Sequence, residues 1–407
     1  MSDTSDRRDL LILGGGLVGM TLALAAAKKG MTSHVVDRAD PADLTAEGFD
    51  GRASAISTAS WNLFTNIGLA QRLEADASPI SKIAVSDQLK PGQLDFVPDD
   101  PADTLGRMFA NRTLRLALFE AAKDEPLIHW HARAGVIERR RGEHGVSVRL
   151  ADGKELEASL MIGAEGRGSP TREDAGIAMA NWQYDHRAII AGLTHEKPHG
   201  QVAWEIFYPA GPFALLPLKD DADGTHRSAL VWTVAERDAA GVLKLGDRAF
   251  TAEVEKRMGR LFGAITGVGP RSSYPLGFHH TATITAERLA LVGDAAHGIH
   301  PIAGQGLNLG LRDVGALVQV LDDNLRLGLE PGEAQGLARY ERWRGLDAFM
   351  VALATDGLTR LFGVPGETAS AVRRFGMAGV QRLPVLKDWF MDEARGVSGD
   401  MPDLLVA

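Results

Sequence analysis

The residue types that most often carry covalent chemistry are scarce in this chain. Its 407 residues include no cysteine, which removes thiolate nucleophiles, disulfides and cysteine-held zinc or iron–sulfur centres. No metal is expected at His279-His280 or at the pair His195/His199. No compelling catalytic triad is present. Two glycine-rich segments stand out instead. Gly14, Gly16 and Gly19 have G-x-G-x-x-G spacing. Gly293-Asp294-Ala295-Ala296-His297 leads through Pro301 to Gly304-Gln305-Gly306-Leu307-Asn308 and on to Arg312-Asp313. Loops of the first kind present backbone N–H groups to a phosphate. In the second segment His297 and His300 are acid–base candidates, weighed against a structural place for His297 in its turn.

These segments need elements to position them. Leu10–Leu13 is a compact apolar run, consistent with a fully buried parallel strand. Gly14 then allows a tight turn, Gly16 a close approach to a pyrophosphate, and Gly19 close packing of strand and helix. An alanine-rich helix over 20–29 follows, and the free N–H groups at its start would face the phosphate. A second strand over 33–36 ends in Asp37, 18 residues after Gly19, near the place of a ribose-binding acid, with Arg38 beside it. The alternative is a glycine turn without a ligand, and the loop alone does not separate FAD from NAD. Arg52 could pair with a phosphate or lie over a ring edge, or simply pair with Asp50. Asn111 could cap the following helix or contact a cofactor. Another buried strand, 288–292, feeds the late segment. Gly263 to Gly269 follows no buried strand, so no separate nicotinamide domain is expected.

Between these parts, 136–150 suggests a hairpin and 160–167 a strand ending in a polar turn. Apolar runs at 188–192, 202–208, 213–218 and 228–234 suggest an inserted antiparallel sheet. Phe207, Phe213 and Trp232 are candidates to line a pocket there, with ordinary core packing as the alternative. From Ala316 onward the chain reads as helices. Mixed basic and aromatic residues over 371–395 suit a membrane surface or a partner protein, or else a packed helical subdomain. The net charge of −9 argues against nucleic acid. The uncharged run 10–27 reads as strand, turn and helix rather than a membrane span, and 1–9 has no signal-peptide pattern.

The run GDAAHGIHPIAGQGLNLGLRD resembles the second FAD-binding motif of the class A flavin aromatic hydroxylases, the para-hydroxybenzoate hydroxylase type. The N-terminal loop and Arg52 in its D-x-R context match as well. Gly163-Ala164-Glu165-Gly166-Arg167 resembles the DG motif of that class, with Glu165 where Asp is usual. Within the class, the chain is similar to the ubiquinone-biosynthesis hydroxylases. That likeness lies in His195-Glu196-Lys197-Pro198-His199, Glu205-x-Phe207, Gly211 to Leu218 and Ala394 to Asp400.

The resemblance implies an α/β fold: a Rossmann-like FAD-binding domain (1–80, 100–175 and 280–325), an inserted β-sheet substrate domain (81–99 and 176–279) and a helical C-terminal region (326–407). It implies FAD, with NADPH or NADH as reductant, and oxygen transfer from a flavin hydroperoxide to the ring of a polyprenylated phenol. Gly14, Gly16, Leu17, Val18 and Gly19 would hold phosphates, and Asp37 and Arg38 the adenosine end. Arg52 and Asn111 would contact FAD, and Asp294 the ribityl chain. Gly304, Gly306, Leu307 and Asn308 would meet the flavin's carbonyl edge, and Pro301 its face. A cytoplasmic location, peripheral contact with the inner membrane, and ubiquinone-biosynthesis proteins as partners follow from the same resemblance. A hydroxylase of a small soluble phenol, an NAD dehydrogenase and a non-catalytic flavin protein are the competing readings.

Overall fold

The computed structural model describes residues 7–48, 51–90, 93–298, 304–345 and 366–407. Asp50, His300 and Pro301 therefore lie outside the described residues.

Five strands form a parallel core in the order Leu289–Leu291, Glu155–Gly163, Arg8–Leu13, Ser33–Val36 and Ile128–His131. Leu10, Leu11 and Ile12 are wholly buried, as the uninterrupted apolar run predicts for a strand covered on both faces. The hairpin Val136–Gly142 and Gly145–Leu150 extends this sheet through Glu155–Gly163. The first helix runs Leu17–Lys28, starting earlier than its alanine-rich stretch suggests, so Gly19 lies inside its first turn. A Cβ at Gly19 would stand 1.9 Å from the Gly14 carbonyl oxygen. Only glycine permits helix and loop to approach this closely.

The four apolar runs of the middle segment all become strands of one sheet, which has nine strands among the described residues. Its order is His297–Gly298, Ser272–Thr281, Met179–His195, His226–Ala235, Gly211–Leu218, Val202–Tyr208, Lys82–Asp87 and Leu94–Phe96, with Ile265–Val268 paired to Met179–His195. Most pairs are antiparallel; Val202–Tyr208 and Lys82–Asp87 are parallel. One face packs on helices Glu236–Lys244 and Asp247–Met258 through Phe250, Val254 and Met258. The other meets a three-stranded sheet (Ala53–Ser57, Gly106–Ala110, Ser78–Ile80) and the C-terminal helices Glu367–Arg382 and Pro384–Arg395.

The late motif joins the two large sheets. Leu289–Leu291 belongs to the parallel core, while His297–Gly298 is an edge strand of the nine-stranded sheet. The crossing is held by Asp313, which is 0% exposed on helix Gln305–Arg326. Its Oδ2 accepts hydrogen bonds from the Gly293 amide (2.9 Å) and from His297 Nε2 (2.6 Å), and its Oδ1 from Arg344 Nε (2.8 Å). Burial alone would raise this carboxyl, but the charges and hydrogen bonds of His297 and Arg344 outweigh that effect and hold it below its ordinary value. Asp313→Ala would leave a buried arginine without its counterion. We expect a loss of about 3–5 kcal/mol, read as a lower urea midpoint. An unchanged midpoint would show that the network does not hold the crossing.

Candidate functional site

Strand register brings the sequence motifs to one edge. Leu13 pairs with Val36 on one side and Gly163 on the other, and Gly163 pairs with Leu291. Gly14, Asp37, Ala164 and Val292 therefore follow the carboxyl ends of adjacent parallel strands, where open α/β sheets bind ligands. Gly14 has φ +104°, and a Cβ there would meet the Ala164 carbonyl at 2.4 Å. Asp37 Oδ2 accepts from the Gly15 amide (2.6 Å) and Oδ1 from the Ala39 amide (2.7 Å). Two donors fix the carboxylate and leave lone pairs for a sugar hydroxyl. Arg38, next in the chain, is exposed.

The start of helix Leu17–Lys28 suits a pyrophosphate. No side chain caps it, and its first turn holds no acid. A Cβ at Gly16 would find nothing within 4 Å. The free N–H groups of Leu17 and Val18 are thus open to an anion. Helix Gln305–Arg326 begins in the same way: Gly304 adopts a left-handed conformation, no side chain caps the helix and no acid lies in its first turn. Val18 touches both neighbours of this second site, with its methyls 2.9 Å from a Cβ placed at Gly310 and 3.2 Å from one at Gly293. The two uncapped helix starts are therefore close together. That juxtaposition fits an extended dinucleotide such as FAD, charged at its pyrophosphate and polar at its ring edge.

The ring end is organised by strand Ala53–Ser57. Asn308, which is buried, donates from Nδ2 to the Ala55 carbonyl (3.0 Å) and accepts at Oδ1 from the Ser57 amide (2.9 Å). Its side chain thus anchors the helix to the strand, leaving its backbone for a ligand. At the strand's other end the Asn111 amide donates to the Arg52 carbonyl (3.0 Å), and Ser54 Oγ donates to Asn111 Oδ1 (2.7 Å). Arg52, Asn111, Gly304 and Asn308 are gathered by this one strand. Asp294 is exposed between buried neighbours. His279 Nε2 donates to its carbonyl oxygen at 2.8 Å, and burial keeps His279 below the ordinary histidine value. Arg172 donates to the Arg167 and Ala295 carbonyls (2.9 and 3.3 Å), joining the 163–167 turn to the late motif.

Other expected residues are placed elsewhere. His297 is buried against Asp313, which fits a structural place in its turn. Phe213 and Trp232 lie on the face packed against the two helices, with Arg257 stacked 4.2 Å over Trp232. This corrects their expected place at a pocket. Strand alternation sends them to the opposite face from Phe207, which sits with Ala53, Ala55, Met377 and Met391. Glu165 accepts from Arg139 (3.2 Å), Ser169 Oγ (2.8 Å) and the Thr171 amide (3.0 Å). The longer carboxylate ties the turn to helix Pro170–Asp174.

Glu205 has no role implied by the sequence motifs. It shares the Phe207 face of strand Val202–Tyr208, opposite Ala214 and Val85. Loss of solvation, with no compensating partner among the described residues, pushes its carboxyl up to about 8. It keeps partial exposure. An acid interrupting an apolar alternation, VAWEIFY, was the available signal.

Comparison with known proteins agrees with this geometry. Residues 7–348 match the family described as FAD binding domain. A ubiquinone hydroxylase, UbiL, of Rhodospirillum rubrum is 43% identical over 388 residues, covering 95% of this chain and 89% of that protein. The 3-demethoxyubiquinol 3-hydroxylase of Escherichia coli is 31% identical, covering 97% and 100%. Among solved structures, the p-nitrophenol 4-monooxygenase PnpA of Pseudomonas putida shares the fold at a TM-score of 0.78 and 17% identity, covering 97% and 99%. With its glycine loop, late motif and sheet arrangement in place, the chain belongs to the FAD-binding-domain family and is an FAD-dependent aromatic hydroxylase of the class A type.

Proposed function

We propose that this protein hydroxylates the ring of a polyprenylated phenol in ubiquinone biosynthesis, with a nicotinamide nucleotide as reductant. The observation that carries the reading is the 43% identity, over nearly the whole chain, to a ubiquinone hydroxylase. Bound FAD supplies the oxygen-transfer chemistry. The chain's own residues bind, orient and exclude water. Leu17 and Val18 would hold the pyrophosphate, Asp37 the adenosine ribose and Asp294 the ribityl chain. The amides of Gly304, Gly306 and Leu307 would face the ring's carbonyl edge, where the helix start favours negative charge. Phe207 and Glu205 share the sheet face that meets this region and would line the substrate side. A protonated Glu205 can donate a hydrogen bond to a phenol oxygen; ionised, it can accept one.

No helix among the described residues is long and apolar enough to cross a membrane. The C-terminal helices nevertheless expose Val372, Phe375, Leu383, Val385 and Trp389, with Phe375 82% exposed, near the basic Arg374, Arg382 and Lys387. Apolar anchors among cations suit the interface of an anionic bilayer, where a prenylated phenol resides.

Deleting the gene should accumulate a quinone precursor lacking one ring oxygen, identified by mass spectrometry. An unchanged quinone pool without a redundant hydroxylase would overturn the pathway, and a prenyl-free phenol turned over in preference would point to a soluble substrate. Glu205 carries a raised folded value, so the folded chain keeps a proton that the unfolded chain releases between its ordinary 4.5 and about 8. Stability from this group falls as pH rises through that window. Glu205→Gln should therefore melt higher than the parent above this window and equally below it, while kcat/KM for the phenol drops. Equal melting at every pH would refute the desolvated carboxyl. Phe375→Asp with Trp389→Asp should abolish flotation with phosphatidylglycerol vesicles while leaving FAD content intact. Flotation retained by this variant would place the contact elsewhere.

A further inference from the structure

Away from the cofactor edge, three histidines from two distant segments converge on the outer strands of the parallel sheet. His34 lies on Ser33–Val36, and His129 and His131 on its parallel neighbour Ile128–His131, with His34 paired to His129 and Val36 to His131. Alternation places His129 and His131 on one face, opposite Trp130, which packs on Phe119. The ring centroids are 5.7 Å (His34–His129), 5.2 Å (His34–His131) and 5.1 Å (His129–His131) apart. His131 Nε2 and His34 Nδ1 are hydrogen-bonded at 3.1 Å. One nitrogen from each ring lies within 4.8 Å of the other two.

These distances suit a metal. Zinc–imidazole bonds of about 2.0–2.1 Å in a tetrahedron put ligand nitrogens about 3.3 Å apart. The His34–His131 pair is already near that separation, and small ring rotations bring in His129. The trio is graded in burial: His34 is wholly buried, His131 half-buried and His129 exposed. A cation could thus enter from solvent on the His129 side and keep water as its fourth ligand. Three imidazoles without sulfur select the borderline divalent ions zinc, nickel, cobalt and copper over magnesium or calcium.

We propose that His34, His129 and His131 form a binding site for a zinc-class divalent cation, which pins the edge strand Ile128–His131 to the strand that carries Asp37. The link to the cofactor end is short and runs through two hydrogen bonds. The His131 carbonyl accepts a hydrogen bond from the Asp37 amide (3.0 Å), and the Asp37 carboxylate holds the Gly15 amide of the dinucleotide loop. Bound metal would steady the strand end on which that loop rests. The site takes no part in oxygen transfer and does not depend on the identity of the phenol.

The test uses the full FAD-loaded protein, freed of any affinity tag and stripped with a chelator. Titration with zinc sulfate in a calorimeter should show one site per chain, and zinc should raise the melting temperature saturably. His129→Ala removes the exposed ligand and should keep its FAD and its metal-free melting temperature, yet bind zinc at least tenfold more weakly and lose the thermal response. His131→Ala should behave likewise. Absence of zinc binding to the parent overturns the proposal, as does parent-like binding by both variants, which would place the ion elsewhere. If His129→Ala loses FAD or melts early in metal-free buffer, the histidines serve as packing and hydrogen-bonding groups and the metal assignment falls unless His129→Cys, which retains a ligand, restores zinc binding.

Discussion

A buried carboxylate with three donors around it sets much of this architecture. Asp313 sits where solvent cannot reach it, and an unpaired charge there would be prohibitive. Its donors come from three separate parts of the chain: the Gly293 amide just past the parallel sheet, the His297 ring on the edge of the other large sheet, and Arg344 from the helical stretch at 334–345. Satisfying one carboxylate therefore fixes how the two sheets meet. It also fixes the helix that carries Asp313, and with it the helix start at Gly304. The far end of the late motif is locked this way. His297 belongs to that lock.

A second constraint is close approach between backbones. Helix Leu17–Lys28 lies nearly against its own loop at Gly19, and Val18 fits against Gly293 and Gly310. Larger residues at these glycines would separate the two uncapped helix starts. An extended cofactor spanning both would need them near each other, which these glycines permit.

The two faces of the nine-stranded sheet pack against different partners. Phe213 and Trp232 support the two covering helices, whereas Phe207 and Glu205 face the small sheet and the C-terminal helices. The small sheet in turn carries Arg52 at one end and is gripped by Asn308 at the other. The nine-stranded sheet and helix Gln305–Arg326 thus both meet one short strand, Ala53–Ser57.

Local signals in the sequence determined the cofactor elements. The glycine spacing, the apolar run before it and the acid after the second strand each reflect a backbone requirement acting within a few residues, so they are legible without the fold. The apolar runs of the inserted sheet were equally plain, because period-two burial is local. Tertiary structure alone decided which face of that sheet each aromatic joined, since alternation gives opposite faces but not which face meets the cofactor. It decided that Glu165 caps a helix and that Asp313 gathers donors from residues 293, 297 and 344. It also brought His34 beside His129 and His131: parallel pairing aligned strands nearly a hundred residues apart, and no spacing rule along a chain can see a register set by hydrogen bonds between strands.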